Sequence, residues 1–399
     1  MRILHIIPYF YPAWAYGGTC RAAWELARAT AGRGHEVIAY TTDALDSRRR
    51  AGPPFEVVDG VAIHRFPNLS NRLAWGRLFL PPTFGLKLEW AIREADVVHL
   101  HEYRSLQDAV ALPILTRLRK PYIITAQGGV PLLIGRFALK RVYDSWIGQR
   151  LIARATRLHA LNTMEHEQFL QAGGRPEQIF IAPNGIHIDE FKTLPVADGF
   201  RSKYNIPDEA PLVLFLARVH KIKGPDFLVS AFAELRKELP NAVLVIAGPD
   251  DGFLPEVKRQ VAALGIEPAV RYIDYLDGVA KLEAFQAANV YVLPSTYEIL
   301  GITLLEALAC RTPVITTDRC GLKDVVVENN LGEVVKFGEV GALKSALLRM
   351  LAERGKTDRG RGRRGREYVL SNFGWDKIAE RWEAVYQQCA AGQRLQIGD

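Results

Sequence analysis

Short apolar runs alternate with helix-like segments from one end of the 399-residue chain to the other. In the first half the runs are RILHII, HEVIAYTT, VAIHRF, DVVHLH, PYIITAQ, RLHALN and IFIAPNG. In the second half they are LVLFLAR, AVLVIAG, VRYIDY, VYVLPS, PVITTD and LGEVVK. They are short and rich in Val and Ile, which is the pattern of strands covered on both faces. Segments such as GTCRAAWELARATAGRG and FLVSAFAELRKEL lie between them and read as helices. Alternation of this kind predicts an α/β fold with doubly wound parallel sheets.

The pattern breaks at KTLPVADGFRSKYNIPDEAPL, Lys192–Leu212, where prolines and turn residues replace periodicity. We therefore expect one Rossmann-like domain over residues 1–195 and a second beginning at residue 196. Ligands of such sheets bind beyond the carboxyl ends of the strands. Two such domains facing a central cleft would suit the joining of two substrates.

One segment carries chemistry the core does not need. YEILGITLLEALA places Glu298 and Glu306 eight residues apart in otherwise apolar surroundings. On a single helix they would be about 12 Å apart along the axis and about 80° apart around it, too far to act on one face. The spacing makes sense if Glu298 lies in the loop after VYVLPS and a helix starts near Gly301, with Glu306 inside it. Glycine permits a close backbone approach there, and the free N–H groups of a helix start bind anions. A phosphate at the helix start would have a carboxylate on either side, each suited to hydroxyl groups. A sugar nucleotide has that layout. Glu306 sits in TLLEALA, apolar on every side, where a carboxylate needs a partner.

Positive charge for a diphosphate comes from ARVHKIKG. Arg218 follows the first strand of the second half, and Lys223 with Gly224 ends the loop. Arginine bridges two phosphate oxygens and lysine supplies a point charge. No acid pair with DxD spacing sits at a strand end, and Asp250–Asp251 in GPDDG reads as a turn. A diphosphate site without a metal is expected.

Composition narrows the context. With 48% apolar and 24% charged residues the chain can bury large cores. Cys20, Cys310, Cys320 and Cys389 lie far apart and form no CxxC pair, so neither a zinc site nor a disulfide framework is indicated. A reduced, cytoplasmic setting follows. His5, Pro8 and Pro12 interrupt the first apolar run, which reads as a strand and a glycine loop rather than a signal peptide. No stretch reads as a transmembrane helix.

ARVHKIKG, PSTYEILGITLLEALACRTPVI and IAPNGIHIDEF together resemble the signature segments of glycosyltransferase family 4, retaining enzymes of the GT-B fold. The resemblance extends to PYFYPAWAYGGTCRAAWELARATAGRGHEV near the start and FGWDKIAERWEAVY near the end. It implies that the second domain runs over 196–373 and that the last segment, 374–399, is a helix crossing back to the first domain. It also implies that Arg218 and Lys223 bind the donor diphosphate, Glu306 the ribose hydroxyls, and Glu298 the transferred sugar. The backbone from Ile299 through Leu300, Gly301 and Ile302 to Thr303 would cradle the phosphates. The base would pack near Tyr272–Leu276, with Tyr275 among its contacts, and Gly17 and Gly18 would close over donor and acceptor. The donor is expected to be UDP- or GDP-linked, with no cofactor.

The chain departs from the family pattern at Ala217, at Arg311, and at TAQGG, where Gln127 replaces a frequent histidine. Glutamine cannot act as a base but can hydrogen-bond a sugar hydroxyl. A retaining transfer in which the departing diphosphate oxygen takes the acceptor proton needs no base there; Arg218 and Lys223 would stabilise its charge. Gly17, Gln127 and Gly128, with His101 and Glu102 of HLHEY, are the expected acceptor contacts, while His99 reads as a core residue.

The net charge is +7. Much of it falls in GRFALKRVYDSWIGQRLIARATR, with Arg136, Lys140, Arg141, Arg150, Arg154 and Arg157, and in NRLAWGRLFLPPTFGLKLEW, Asn71–Trp90. Aromatic residues are interleaved in both. Such segments suit an anionic membrane surface and a lipid-linked acceptor. We expect a peripheral position on the inner face of the cytoplasmic membrane. No nucleic-acid motif accompanies the charge, and the basic run Arg354–Glu367 reads as a solvated basic loop or helix face. A nicotinamide-dependent oxidoreductase would need G-x-G-x-x-G after the first strand, and the chain has YGGTCRAAWEL. A sugar-nucleotide epimerase or hydrolase of the same architecture, or a non-catalytic membrane-associated module, are the alternatives.

Overall fold

The computed structural model describes residues 1–131, 137–196, 198–352 and 360–392. The chain forms two compact units: 1–185 with 375–399, and 186–374.

The first unit is built on strands β1 (Arg2–Ile6), β2 (Glu36–Thr42), β3 (Phe55–Val58), β4 (Val61–Phe66), β5 (Val97–His101), β6 (Tyr122–Thr125), β7 (Arg157–Ala160) and β8 (Ile179–Ile181). They form one sheet in the order β3-β4-β2-β1-β5-β6-β7-β8. Only the β3–β4 pair is antiparallel. Seven of these strands correspond to the apolar runs. β3 was not among them because Phe55 and Val57 are half exposed on an edge strand that also carries Glu56. The second unit has β9 (Leu212–Leu216), β10 (Val243–Ala247), β11 (Val270–Ile273), β12 (Val290–Leu293), β13 (Val314–Thr317) and β14 (Gly332–Val335). Its sheet is wholly parallel, ordered β11-β10-β9-β12-β13-β14. Both are doubly wound sheets, and each reverses direction once: between β1 and β5, and between β9 and β12. A crevice opens at the carboxyl edge of such a reversal.

The helix Trp375–Ala390 belongs to the first unit. It buries Trp375, Ile378, Trp382, Tyr386 and Cys389 against Ile3, Ala22, Leu26, Val97 and Ile123. The break expected at Lys192–Leu212 lies inside the second unit instead of at its border. The chain passes between units at Gly185–Ile186 and again at Gly374–Trp375. The reason is a backbone tie: Ile186 N–H donates to Phe373 O at 2.7 Å, and Phe191 just beyond is buried. Polar, proline-rich composition marked a surface connection there, not a domain edge.

The described part of the basic run is a helix face, one of the two forms expected. Residues 353–359 lie outside the described residues, but the remainder forms the helix Arg361–Asn372. Gly362 and Gly365 pack it closely on the neighbouring helix: an added Cβ would come 2.3 Å from Arg311 O and 2.7 Å from Leu308 Cδ2, respectively. Arg366 donates to carbonyls of Ala309 and Phe191. It is a packing helix with a basic outer side.

Candidate functional site

The second unit gathers its candidate residues at the β9/β12 reversal. After β9 the chain reaches Arg218, makes a short 3-10 turn at Lys221–Lys223, and enters the helix Pro225–Arg236 through Gly224. Gly224 has φ +67°, and a Cβ there would lie 2.1 Å from Pro294 O, so only glycine fits. Thr296 N–H donates to Ile222 O at 2.8 Å. These contacts lay the loop after β9 against the loop after β12, and they bring Lys223 Nζ onto Glu298 Oε2. Lys223 and Glu298 are 18% and 15% exposed. Glu298 is itself held by its backbone, donating to Arg319 O at 3.1 Å and accepting from Gly321 N–H at 2.8 Å.

Glu298 therefore lies in the loop, and the helix Ile302–Ala309 begins directly after Gly301. Gly301 has φ +71°, a conformation that favours glycine. It gives no capping side chain, and no acid occupies the first turn. The first N–H groups of a helix have no acceptor within it, so this start presents donors and the positive end of the helix dipole. The Tyr291 hydroxyl braces it, 2.7 Å from Thr303 Oγ1 and 3.1 Å from Leu216 O. Burial holds that phenol well above its ordinary pKa, so it stays neutral.

Glu306 has the partner its apolar setting demands. Lys281 Nζ lies 2.7 Å from Glu306 Oε1. Sequence reasoning missed Lys281, although a signal existed: it is the sole cation of the helix Gly278–Ala287, GVAKLEAFQA, much as Glu306 is the sole acid of ITLLEALA. Arg218 also has an unforeseen partner, Asp251, and both are largely solvated. Asp250 makes the turn, accepting from the N–H groups of Gly252, Phe253 and Leu254. Leu300 is buried, and Tyr275 is 63% exposed, a free aromatic face near the end of β11.

In the first unit the expected acceptor residues separate. Gly17 has φ +98° and stands before the helix that Gly18 begins, with open space at both Cβ positions. Gln127 and Gly128 follow β6 with φ +46° and +83°. Gly128 N–H donates to buried Glu165 at 2.6 Å. Glu102, at φ +73°, follows β5 with Arg77 at 3.5 Å. Burial, with Asp108 adding, pushes its pKa to about 8.

His101 does not join them. It is 1% exposed, its Nε2 lies 2.8 Å from His5 Nδ1, and its ring stacks on His99 at 3.9 Å. Alternation along β5 points both His99 and His101 to the face covered by the Trp375–Ala390 helix, so neither reaches a ligand. Burial lowers the pKa of both far below the usual imidazole value. His5, His99 and His101 offer ring nitrogens within 4.8 Å of one another. Their rings are inclined to one another by 16° (His5 and His101), 28° (His99 and His101) and 42° (His5 and His99).

His99 belongs instead to a hydrogen-bonded chain. It runs from Tyr386 OH to His99 Nδ1 (2.8 Å), from His99 Nε2 to Thr125 Oγ1 (2.6 Å), and from Thr125 Oγ1 to His159 Nδ1 (2.9 Å). It ends at Ala182 O, 2.6 Å from His159 Nε2. A carbonyl only accepts, so His159 donates with Nε2 and every link before it points the same way. The C-terminal helix is thus hydrogen-bonded into the first unit by Tyr386.

The two cationic segments are partly as expected. Leu73, Trp75, Leu86 and Trp90 are exposed, as are Leu139, Val142 and Trp146. Arg136 lies outside the described residues. Arg157 is a correction: it is 2% exposed and donates to backbone carbonyls of Thr156 and Glu177. It begins strand β7, which is covered on both faces. The four cysteines are buried and free. Among the described residues no helix is long and apolar enough to cross a membrane.

Two family models cover most of the chain. The one described as glycosyl transferases group 1 matches residues 197–368, and the glycosyl transferase 4-like domain matches 17–185. A D-inositol 3-phosphate glycosyltransferase from Kineococcus radiotolerans is 27% identical over 94% of this chain and 91% of its own length. A glycogen synthase from Mycobacterium tuberculosis is 26% identical over 99% and 96%. Among solved structures, sucrose-phosphate synthase from Thermosynechococcus elongatus superposes with TM-score 0.75 at 22% identity, covering 98% of this chain and all of that one. Anabaena HepE in complex with UDP and glucose gives TM-score 0.74 at 17% identity, covering 97% and 100%.

Proposed function

Because this chain belongs to the GT-B glycosyltransferases of family 4 type, we propose that its second unit binds a nucleoside diphosphate sugar at the β9/β12 reversal and that the sugar passes, with retention, to a glycan or lipid-linked acceptor. The observation that carries the donor site is the grouping of Arg218, Lys223, the bare start of the Ile302–Ala309 helix, and two carboxylates around one strand reversal. The diphosphate meets Arg218, Lys223 and the backbone N–H groups from Leu300 to Thr303. Glu306 accepts from the ribose and Glu298 from the transferred sugar, and Tyr275 offers its ring to the base. UDP and GDP are the nucleotides to test first. The positive charge these groups supply suits a diphosphate without a metal.

In the transfer, the bond from the anomeric carbon to the diphosphate oxygen breaks and a bond to the acceptor oxygen forms on the same side. The departing oxygen takes the acceptor's proton. Arg218 and Lys223 stabilise its developing charge, worth roughly a hundred- to a thousandfold in rate per well-placed donor. Before that, Arg218 exchanges Asp251 for phosphate, a cheap step because an exposed pair contributes only about 0–1 kcal/mol. Gly17, Gly18, Glu102, Gln127 and Gly128 are the first unit's proposed contacts to the acceptor.

The exposed Leu73, Trp75, Leu86, Trp90, Leu139, Val142 and Trp146 stand among Arg72, Lys87, Lys140, Arg141 and Arg150. Apolar side chains facing water beside cations support peripheral docking on an anionic membrane, where a lipid-linked acceptor would be met. A place on the cytoplasmic face, in cell-surface polysaccharide or glycolipid synthesis, accords with this.

The test is thermal unfolding with UDP, GDP, ADP and nicotinamide nucleotides, without metal, on the native chain and on Glu306→Gln and Arg218→Ala. A ligand at a hundred times its dissociation constant adds about 2.7 kcal/mol. A shift with one nucleoside diphosphate, lost in both variants, is expected. A shift with nicotinamide nucleotides alone, or with none of the four, would overturn the donor site.

A further inference from the structure

Lys281 has no part in the reaction described so far, yet it is built into the donor site. Its ammonium meets Glu306 Oε1 at 2.7 Å, and the two side chains are 18% and 15% exposed. Leu305, Ala307 and Leu308 are buried beside Glu306, and Leu282, Ala284 and Phe285 beside Lys281. An unpaired carboxylate in such surroundings is driven toward its neutral form. Burial lowers the Lys281 pKa, but the charge of Glu306, the hydrogen bond to it and the charge of Glu190 outweigh that, and the net direction is upward. Lys281 is therefore an ammonium at neutral pH.

Its contact fixes more than charge. A carboxylate accepts through two oxygens with about four lone-pair sites. With Oε1 tied to Lys281, rotation of the carboxylate is restricted, and the lone pairs that Lys281 does not use are left to accept from a ligand. Two adjacent hydroxyls, both donating, need an ionised carboxylate in a fixed plane. A neutral carboxyl would replace one acceptor with a donor.

We propose that Lys281 is a positioning residue for nucleotide recognition: its contact holds Glu306 oriented to accept from the vicinal ribose hydroxyls, and so sets the preference for ribonucleotides over nucleotides lacking those hydroxyls. This rests on the reading that Glu306 meets the donor. It assigns Lys281 to the second carboxylate of the spaced pair, as Lys223 is assigned to the first.

The experiment uses the full chain and two probes: whichever of UDP, GDP and ADP gives the largest thermal shift, and its 2′,3′-dideoxy counterpart. Both are titrated calorimetrically. The native protein should prefer the ribonucleotide by about tenfold or more, equivalent to about 1.4 kcal/mol. In Lys281→Met the ratio should fall below about twofold while affinity for the dideoxy form changes little. Lys281→Arg should restore most of the ratio. In a Glu306→Gln background, adding Lys281→Met should change nothing further; that double variant leaves no unpaired charge and guards against loss of folding. An unchanged ratio in Lys281→Met overturns the proposal. So does an equal loss for both nucleotides, which would place Lys281 on the base or phosphates. Failure of the native protein to bind any of the three nucleotides overturns the donor site itself, and the proposal with it, and is told apart because the variants are then not reached.

Discussion

At the β9/β12 reversal the second unit keeps Lys223 with Glu298 and Lys281 with Glu306 as two ion pairs, each side chain 15–18% exposed. At the β1/β5 reversal the first unit holds His5, His99 and His101 neutral by burial. Its carboxyls Glu102, Asp108 and Glu165 are pushed up by burial to about 8, 7 and 7. The same sheet type thus carries charge at one reversal and suppresses it at the other. The difference is in what faces each polar group. Loops of the second unit bring a cation to each acid. In the first unit the C-terminal helix and its aromatic residues cover the histidines, and burial discharges a group that no opposite charge offsets; Glu102, with Arg77 at 3.5 Å, is raised even so, because burial is the largest influence on it.

The most severe way to break this contrast is to remove one charge from a pair. Lys223→Met should lower transfer activity by roughly a hundredfold or more, since it deletes a donor to the leaving oxygen. It should also cost roughly 1–3 kcal/mol, between the values for exposed and fully buried pairs. Adding Glu298→Gln should recover stability but not activity. Denaturant unfolding and initial rates check both; stability unchanged in the single variant would mean the pair does not hold the two loops together.

The first unit should answer to pH instead. Its three raised carboxyls contribute stability that is fully present below their unfolded values near 4 and is lost as pH rises through about 7 to 8. The four histidines run the other way. With native values of about 3 for His5 and about 4 for His159, and lowered also at His99 and His101, they contribute above 6.5. That contribution is lost as pH falls from there. Below 6.5 the two sets largely offset each other, so the decline appears on the alkaline side. The denaturation midpoint should drop between pH 6.5 and 9, and Glu165→Gln should reduce the slope. A midpoint constant over that range would contradict the neutral carboxyls.

A backbone change sharpens the second unit's side of the comparison. Gly301→Ala puts a Cβ at φ +71°, 2.9 Å from Leu304 Cδ1. A left-handed residue with a Cβ costs about 1–2 kcal/mol. The melting temperature should fall and nucleotide affinity with it, because the helix start shifts. Calorimetry would show the reverse if the phosphates do not use that start. The smallest effect is expected at the solvated pair: Asp251→Asn should alter stability by less than about 1 kcal/mol. Diphosphate affinity should rise a few fold, since Arg218 no longer has a competitor; lower affinity would make Asp251 a positioning group for Arg218.

Some of this was legible in residues and some was not. Glu298 and Glu306 could be placed on a loop and a helix because Gly301 lies between them and eight residues on one helix cannot share a face. Lys281 could not be paired with Glu306 from sequence, since 25 positions separate them and a lone lysine on a helix is commonplace. His101 was misjudged from its position at a strand end. The alternation of HLH gave its face correctly, but not that a helix from the far end of the chain covers that face.

By itself the sequence determined the two parallel sheets, through runs too apolar to be anything but covered strands. It also determined that Glu298 lies in a loop and Glu306 in the helix that starts after Gly301, through spacing that a loop-to-helix start explains. Tertiary structure alone decided where the units divide, which cation meets which acid, and which histidines are shut away. The physical reason is common to all three: each depends on segments far apart in the chain, whose approach is fixed by sheet order and helix covering, and local patterns carry no record of that.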